Sequence, residues 1–201
     1  MLILAADTSL PIFSVVLLRD RLLIGAVAIE GRSSRNEKLL PAVDWLLSES
    51  GVDRHEIDLF AVTRGPGSFT GVRIGLATIQ GLALALGKPI CAMSTHEAIA
   101  LGDDNGERIA VIDDAGRGEF YVSRFEGHRE TEAPHLAKER PESAVLTIEV
   151  ADFLQHGNVA GACARRAHEL AAENALDRYA DVTPIYVRLA EAEVKLQQKN
   201  G

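Results

Sequence analysis

Three short polar runs each follow an apolar stretch, and each has residue types that suit a phosphate or magnesium site. The longest is Arg64-Gly-Pro-Gly-Ser-Phe-Thr-Gly71, set between an apolar run at 59–63 and a long apolar segment that ends at residue 86. A glycine turn between strand and helix lets the backbone approach a ligand. The first amides of such a helix point outward with partial positive charge, which is the chemistry of a phosphate cradle. Asp7-Thr-Ser9 is a second polar loop, in which Asp7 can orient a magnesium-bound water, and Asp113-Asp114 is a third. The nucleotide-loop candidates are therefore Asp7, Thr8, Ser9, Gly65, Gly67, Ser68 and Asp114. The same residues have plainer uses: a glycine turn redirects the chain, Ser68 or Thr70 caps the helix, and Asp7 ties down its own turn. No Walker lysine is present, so the run is not a P-loop, and neither an HExxH motif nor a Ser/His/Asp arrangement points to a peptidase.

The elements that must carry these runs follow from the apolar periods. Residues 2–6, 13–19 and 21–30 read as three strands of an antiparallel meander. Over 36–50 the period is helical, with Leu39, Leu40, Val43, Leu46 and Leu47 on one face, Pro41 in an early turn or a mild kink, and Gly51 as the stop. A strand at 59–63 enters the glycine turn, and the following helix closes at Gly87 and Pro89. Next come a short strand near 90, a helix over 96–101, and strands at 108–112 and 119–125. The stretch 127–141 is rich in His, Glu and Arg and reads as a surface loop. Strands at 144–149 and near 159, a helix over 164–173 and a tail with Pro184-Ile-Tyr-Val-Arg188 complete the chain. A Gly-Asp-Asp-Asn-Gly break within 102–107 divides it into lobes at 1–104 and 105–201, the second shorter.

The helix after the glycine turn carries a separate message. Val72, Ile74, Leu76, Ile79, Leu82, Leu84 and Leu86 spread around most of its circumference, so one sheet cannot cover them all. Gly71 and Gly75, one turn apart, leave a strip that another helix can approach. Trp45, the only tryptophan, projects nearly opposite the Leu39/Val43/Leu46 face of the first helix. Leu40, Trp45, Gly71, Gly75, Thr78 and Leu82 are thus the expected dimer or partner face; the alternative is that the second lobe covers both helices.

Composition narrows the partners. Of 201 residues 47% are hydrophobic, enough for a sound core, and 29 acidic against 21 basic residues give a formal charge of -8. That charge repels a phosphate backbone, so nucleic acid is expected only through a partner. Cys91 and Cys163 form no metal or redox pattern, and His96 reads as a surface or capping residue. No run reaches the roughly 18 consecutive apolar residues of a membrane span, and the start lacks a leader's basic region, so a cytoplasmic location is expected.

Arg64-Gly-Pro-Gly-Ser-Phe-Thr-Gly-Val-Arg-Ile-Gly75 and the leucine-rich helix after it resemble the signature of the bacterial TsaB (YeaZ) family. Ala6-Asp-Thr-Ser9, Asp114-Ala-Gly-Arg-Gly-Glu-Phe-Tyr121 and Pro184-Ile-Tyr-Val-Arg188 support it. The resemblance implies an α/β, actin-like ATPase (ASKHA, ribonuclease H-like) fold of two lobes with related topology, in a branch without activity. It further implies a pseudoenzyme that pairs with the TsaD-type enzyme and the TsaE-type ATPase in threonylcarbamoyl transfer to the adenosine beside the anticodon of ANN-decoding tRNAs. The first two helices would form both the homodimer and the heterodimer face. Thr95 and Ile99 stand where the catalytic relative has its metal-binding histidines, so no metal is expected. No cofactor is expected on this chain alone, with ATP or ADP confined to the partner interface. The competing reading is a stand-alone ATPase or phosphotransferase using Asp7, the Gly65 to Ser68 loop and Asp113 or Asp114.

Overall fold

A computed structural model describes residues 1–31, 35–101, 108–127, 129–141 and 146–188; the proposed lobe break at 102–107 lies outside them. The first sheet holds β1 (Leu2–Asp7), β2 (Ile12–Arg19), β3 (Leu22–Glu30), β4 (Leu59–Thr63) and β5 (Ile90–Met93) in the order β3-β2-β1-β4-β5. β1, β2 and β3 pair antiparallel, whereas β4 and β5 run parallel to β1. β1 and β4 are buried along their whole length, which explains why they read as unbroken apolar runs rather than alternating ones.

The second sheet repeats the pattern. β6 (Arg108–Gly116), β7 (Glu119–Glu126), β8 (Arg129–Ala137) and β9 (Leu146–Glu149) lie in the order β8-β7-β6-β9, with β9 parallel to β6 and the other pairs antiparallel. Strand for strand this is the first sheet without its fifth member.

α1 (Arg35–Glu49) and α2 (Phe69–Leu86) cover one face of the first sheet. α1 buries Leu39, Val43, Leu46 and Leu47, each such side chain worth about 1.5–3 kcal/mol out of water. Leu40, expected on that face, is instead 45% exposed, one residue round the helix from it. α2 is capped by Ser68, whose hydroxyl accepts from the Gly71 amide, and ends at Gly87 in the left-handed region. By length and composition α2 could cross a bilayer, but Val72, Leu76, Ile79 and Ala83 are buried in the core that it forms with α1 and the sheet.

The other face of the first sheet is closed from the far end of the chain. α3 (Thr95–Leu101) and α5 (Val159–Ala172) pack there, with α4 (Val150–His156) and the inner face of the second sheet completing one shared core. The amide of Ala160, at the start of α5, donates to the Ser14 hydroxyl on β2 at 3.2 Å.

Three segments differ from their sequence reading. Residues 129–137 form β8 rather than a loop, an edge strand partly exposed on both faces. The strand expected near 159 is the first turn of α5, capped by Asn158 and starting in Val-Ala-Gly-Ala-Cys-Ala, a run apolar enough to pass for a strand. α4 was missed because two turns are too few for a clear period.

Candidate functional site

The ends of β1 and β6, equivalent strands of the two sheets, meet at a cleft of about 270 Å³. Ser9, Leu10 and Pro11 line it from the first hairpin, Gly67 and Ser68 from the glycine turn, and Asp113, Asp114, Ala115 and Tyr121 from the second lobe. The structure therefore brings together Ser9, Gly67, Ser68 and Asp114 from the expected nucleotide-loop set. Asp113 and Asp114 lie inside β6, which continues to Gly116, and not in a loop after it; the buried apolar run ends at Ile112, while the strand goes on partly exposed.

Asp7 and Thr8 are committed to structure. Asp7 is fully buried, and its Oδ1 accepts from the Ser9 amide at 3.2 Å, the Ser9 hydroxyl at 2.6 Å and the Thr63 hydroxyl at 2.5 Å. Ser9 Oγ lies 2.9 Å from Thr95 Oγ1, so this carboxylate ties the ends of β1 and β4 to the start of α3. Thr8 donates to the Gly71 carbonyl at 2.6 Å.

The glycine turn is likewise bonded to the segments around it. The Ser68 amide donates to the Ser9 carbonyl at 2.7 Å, the Thr95 amide to Gly65 at 2.8 Å and the Ile185 amide to Arg64 at 2.7 Å. Gly67, at φ +147, lies so close to the first hairpin that a Cβ would stand 2.5 Å from the Ser9 oxygen. Glycine is needed here for approach to the protein's own backbone. Gly71 and Gly75 also face inward, correcting their placement on a partner strip: both are buried, and a Cβ on Gly75 would stand 2.3 Å from Thr8 Oγ1. Helical spacing alone could not say which side of α2 they occupied.

The electrostatics of the cleft oppose an anionic ligand. Burial pushes the Asp113 carboxyl up to about 6, helped by the charges of Asp114, Glu149 and Asp7. Among the described residues no Lys or Arg lines the cavity. Among the described residues no three His, Cys, Asp or Glu side chains stand close enough to share a metal.

His96 is fully buried rather than at the surface, and its Nδ1 shares a 2.8 Å hydrogen bond with Ser123 Oγ on β7, joining α3 to the second sheet. Burial lowers its pKa to about 3. A neutral buried histidine contributes stability that is present above its unfolded value near 6.5 and lost as pH falls toward 3. Asp113 has the opposite sign, because its raised pKa makes the ionised form costly above about 6 and relieves that cost as pH falls toward 3.8. Asp113→Asn should accordingly raise stability at pH 8 by about 1–2 kcal/mol, a gain that vanishes near pH 4. Urea unfolding between pH 4 and 8 checks this, and a variant no more stable than the parent at pH 8 would refute it.

The surface of the two leading helices has another character. Trp45 is 56% exposed, Leu40 stands on the same helix, and Leu84 of α2 is 82% exposed, while Thr78 and Leu82 are partly covered. Of the expected partner face, Leu40, Trp45, Thr78 and Leu82 reach the surface and the two glycines do not.

Comparison with known proteins gives a consistent result. The family model described as TsaD, tRNA N6-adenosine threonylcarbamoyltransferase, matches residues 31–140. The tRNA threonylcarbamoyladenosine biosynthesis protein TsaB of Bacillus subtilis is 32% identical, over 97% of this chain and 97% of that one. TsaB of Escherichia coli is 36% identical over 63% of this chain and 55% of its own length. The structure of YeaZ from Pseudomonas aeruginosa superposes with a TM-score of 0.74 at 26% identity, over 92% of this chain and 99% of that one.

Proposed function

From the premise that this chain belongs to the TsaB (YeaZ) family and has the two-lobed actin-like ATPase fold, we propose that it acts in tRNA threonylcarbamoyladenosine biosynthesis as a non-catalytic partner of a TsaD-type enzyme. The observation that carries this reading is the commitment of the phosphate-loop equivalents. Asp7 is bonded to Ser9 and Thr63, Thr8 to Gly71 and Ser68 to Ser9, and the cleft beside them is acidic. Among the described residues such a cleft offers a nucleoside triphosphate no lysine or arginine side chain. ATP or ADP would be held only where the partner supplies the missing charge.

The exposed face of α1 and α2 supports the second half of the reading. Trp45, Leu40 and Leu84 combine aromatic and aliphatic area outside the core, the composition of an interface centre. It is the proposed face for the TsaD-type subunit and, without it, for a second copy of this chain. A TsaE-type ATPase joins the assembly, tRNA is reached only through it, and the location is cytoplasmic.

Reconstitution tests the proposal: this protein, its TsaD-type partner, a TsaE-type ATPase, the enzyme that forms threonylcarbamoyl-adenylate, ATP, threonine, bicarbonate and tRNA, omitting one component at a time. Modification should require this chain, which alone turns over no ATP. Modification without it, or ATP turnover by the chain alone that Asp7→Ala abolishes, would instead establish the stand-alone ATPase.

A further inference from the structure

Residues 181–188 form neither helix nor strand, yet they are fastened at each step. Just before them, Tyr179 donates to the partly buried Glu97 of α3 at 2.5 Å. Arg64, at the mouth of the glycine turn, donates through one nitrogen to Asp181 at 3.2 Å and to the Thr183 carbonyl at 3.1 Å. Ile185 bonds the Arg64 carbonyl through its amide, and its own oxygen lies 2.8 Å from where a Cβ of Gly65 would stand. Tyr186 accepts from Arg73 Nε at 2.6 Å and packs on Phe69 with ring centroids 4.8 Å apart. Arg188 then crosses to the second lobe, where it pairs with Glu119 and donates to the Ala115 carbonyl at 3.0 Å.

This segment thus runs from α3, past the glycine turn and the start of α2, to the β6–β7 hairpin that carries Asp113 and Asp114. It also forms a wall. Ile185, Tyr186, Val187 and Arg188 line a cavity of about 200 Å³ that shares Gly67 and Tyr121 with the acidic cleft. We propose that residues 181–188 are a releasable latch across the cleft, whose hold on Ala115 and Glu119 fixes the β6–β7 hairpin against the glycine turn. Releasing it merges the two cavities and frees the hairpin.

The nature of the fastenings suits release. Arg188–Glu119 and Arg64–Asp181 are partly exposed ion pairs, the kind that solvent and salt weaken, and the segment has no ladder of its own to hold it. None of residues 181–188 belongs to the shared core beneath, built from α3, α5 and both sheets, and Val182 alone packs on the edge of the α1–α2 core. The hairpin can therefore loosen while the rest stays folded.

Hydrogen exchange of the intact protein at neutral pH tests the latch, with Arg188→Ala compared with Arg108→Ala, which removes an exposed ion pair to Glu126 at the other end of the same two strands. In Arg188→Ala the amides of 181–188 and of the 113–119 hairpin should exchange about tenfold faster together, with α5 unchanged. Raising salt from 0.05 to 0.5 M should move the parent protein in the same direction. An unchanged hairpin, an equal acceleration in Arg108→Ala, or a uniform acceleration that includes α5 would each overturn the proposal.

Discussion

Trp45→Ala should weaken binding of this chain to the proposed TsaD-type partner by roughly 30-fold or more, the loss of ~2 kcal/mol typical of a central aromatic anchor. The expectation rests on exposure without internal duty: Trp45 is 56% exposed and lies outside both core clusters. Thermal unfolding of the variant should therefore stay close to the parent's, while partner affinity, read by calorimetry, falls with tRNA modification at limiting concentrations. Leu84→Asp, at an 82% exposed site, should act in the same way through charge. Unaltered affinity in both variants would remove the α1–α2 surface from the interface.

Gly67→Ala should be the most damaging small substitution in the glycine turn. Its φ of +147 disfavours any side chain, and the added carbon would stand 2.5 Å from the Ser9 carbonyl oxygen and 2.9 Å from its Cβ. The obstacle is mostly backbone, held by the Ser68 amide, so it cannot swing aside as a flexible side chain can. A cost of about 3 kcal/mol, or a fall of roughly 6–12 °C in Tm for a chain of this size, is expected. Gly75→Ala presents a softer conflict, because the obstacle is the Thr8 hydroxyl, and Thr8→Ala in the same chain should recover part of the loss. Differential scanning calorimetry separates the two cases, and a Gly67→Ala variant with parental Tm would refute the close approach.

The parts of the fold that were legible in the sequence are those where period and punctuation agree. β4, the glycine turn and α2 were marked at once by a five-residue apolar run, a glycine cluster, a helical period and a terminal Gly87. β8 carried no such agreement: as an edge strand exposed on both faces, containing Pro134, it shows no alternation and reads as polar loop. At α5 the apolar run Val-Ala-Gly-Ala-Cys-Ala hid the helical period, since a helix enclosed on most sides loses its polar stripe.

The site was half legible for a related reason. Residue types named Asp7, Ser9, Gly67 and Asp114, and the chain does bring them to one end of the two sheets. What they do there depends on partners far away in sequence: Asp7 with Thr63, Ser9 with Thr95, Gly75 with Thr8, His96 with Ser123. Local spacing contains none of these pairs. The same holds for Arg64, Arg73 and Arg188, which lie far apart in sequence and fasten one segment.

The crossing of α5 onto the first sheet bears on synthesis as well as on shape. Ile3, Ala5, Val16, Leu59 and Ala61 face Val159, Cys163, Ala164 and Ala167, so a nascent chain carries half of its central sheet uncovered until some 170 residues have been made. Folding vectorially from the N-terminus, it can close the α1–α2 side early but has only α3 for the other, and the last contacts to form join residues roughly a hundred or more positions apart. A ribosome-stalled fragment ending before residue 159 should recruit holdase chaperones through that bare sheet, whereas one long enough to expose 159–172 should let them go.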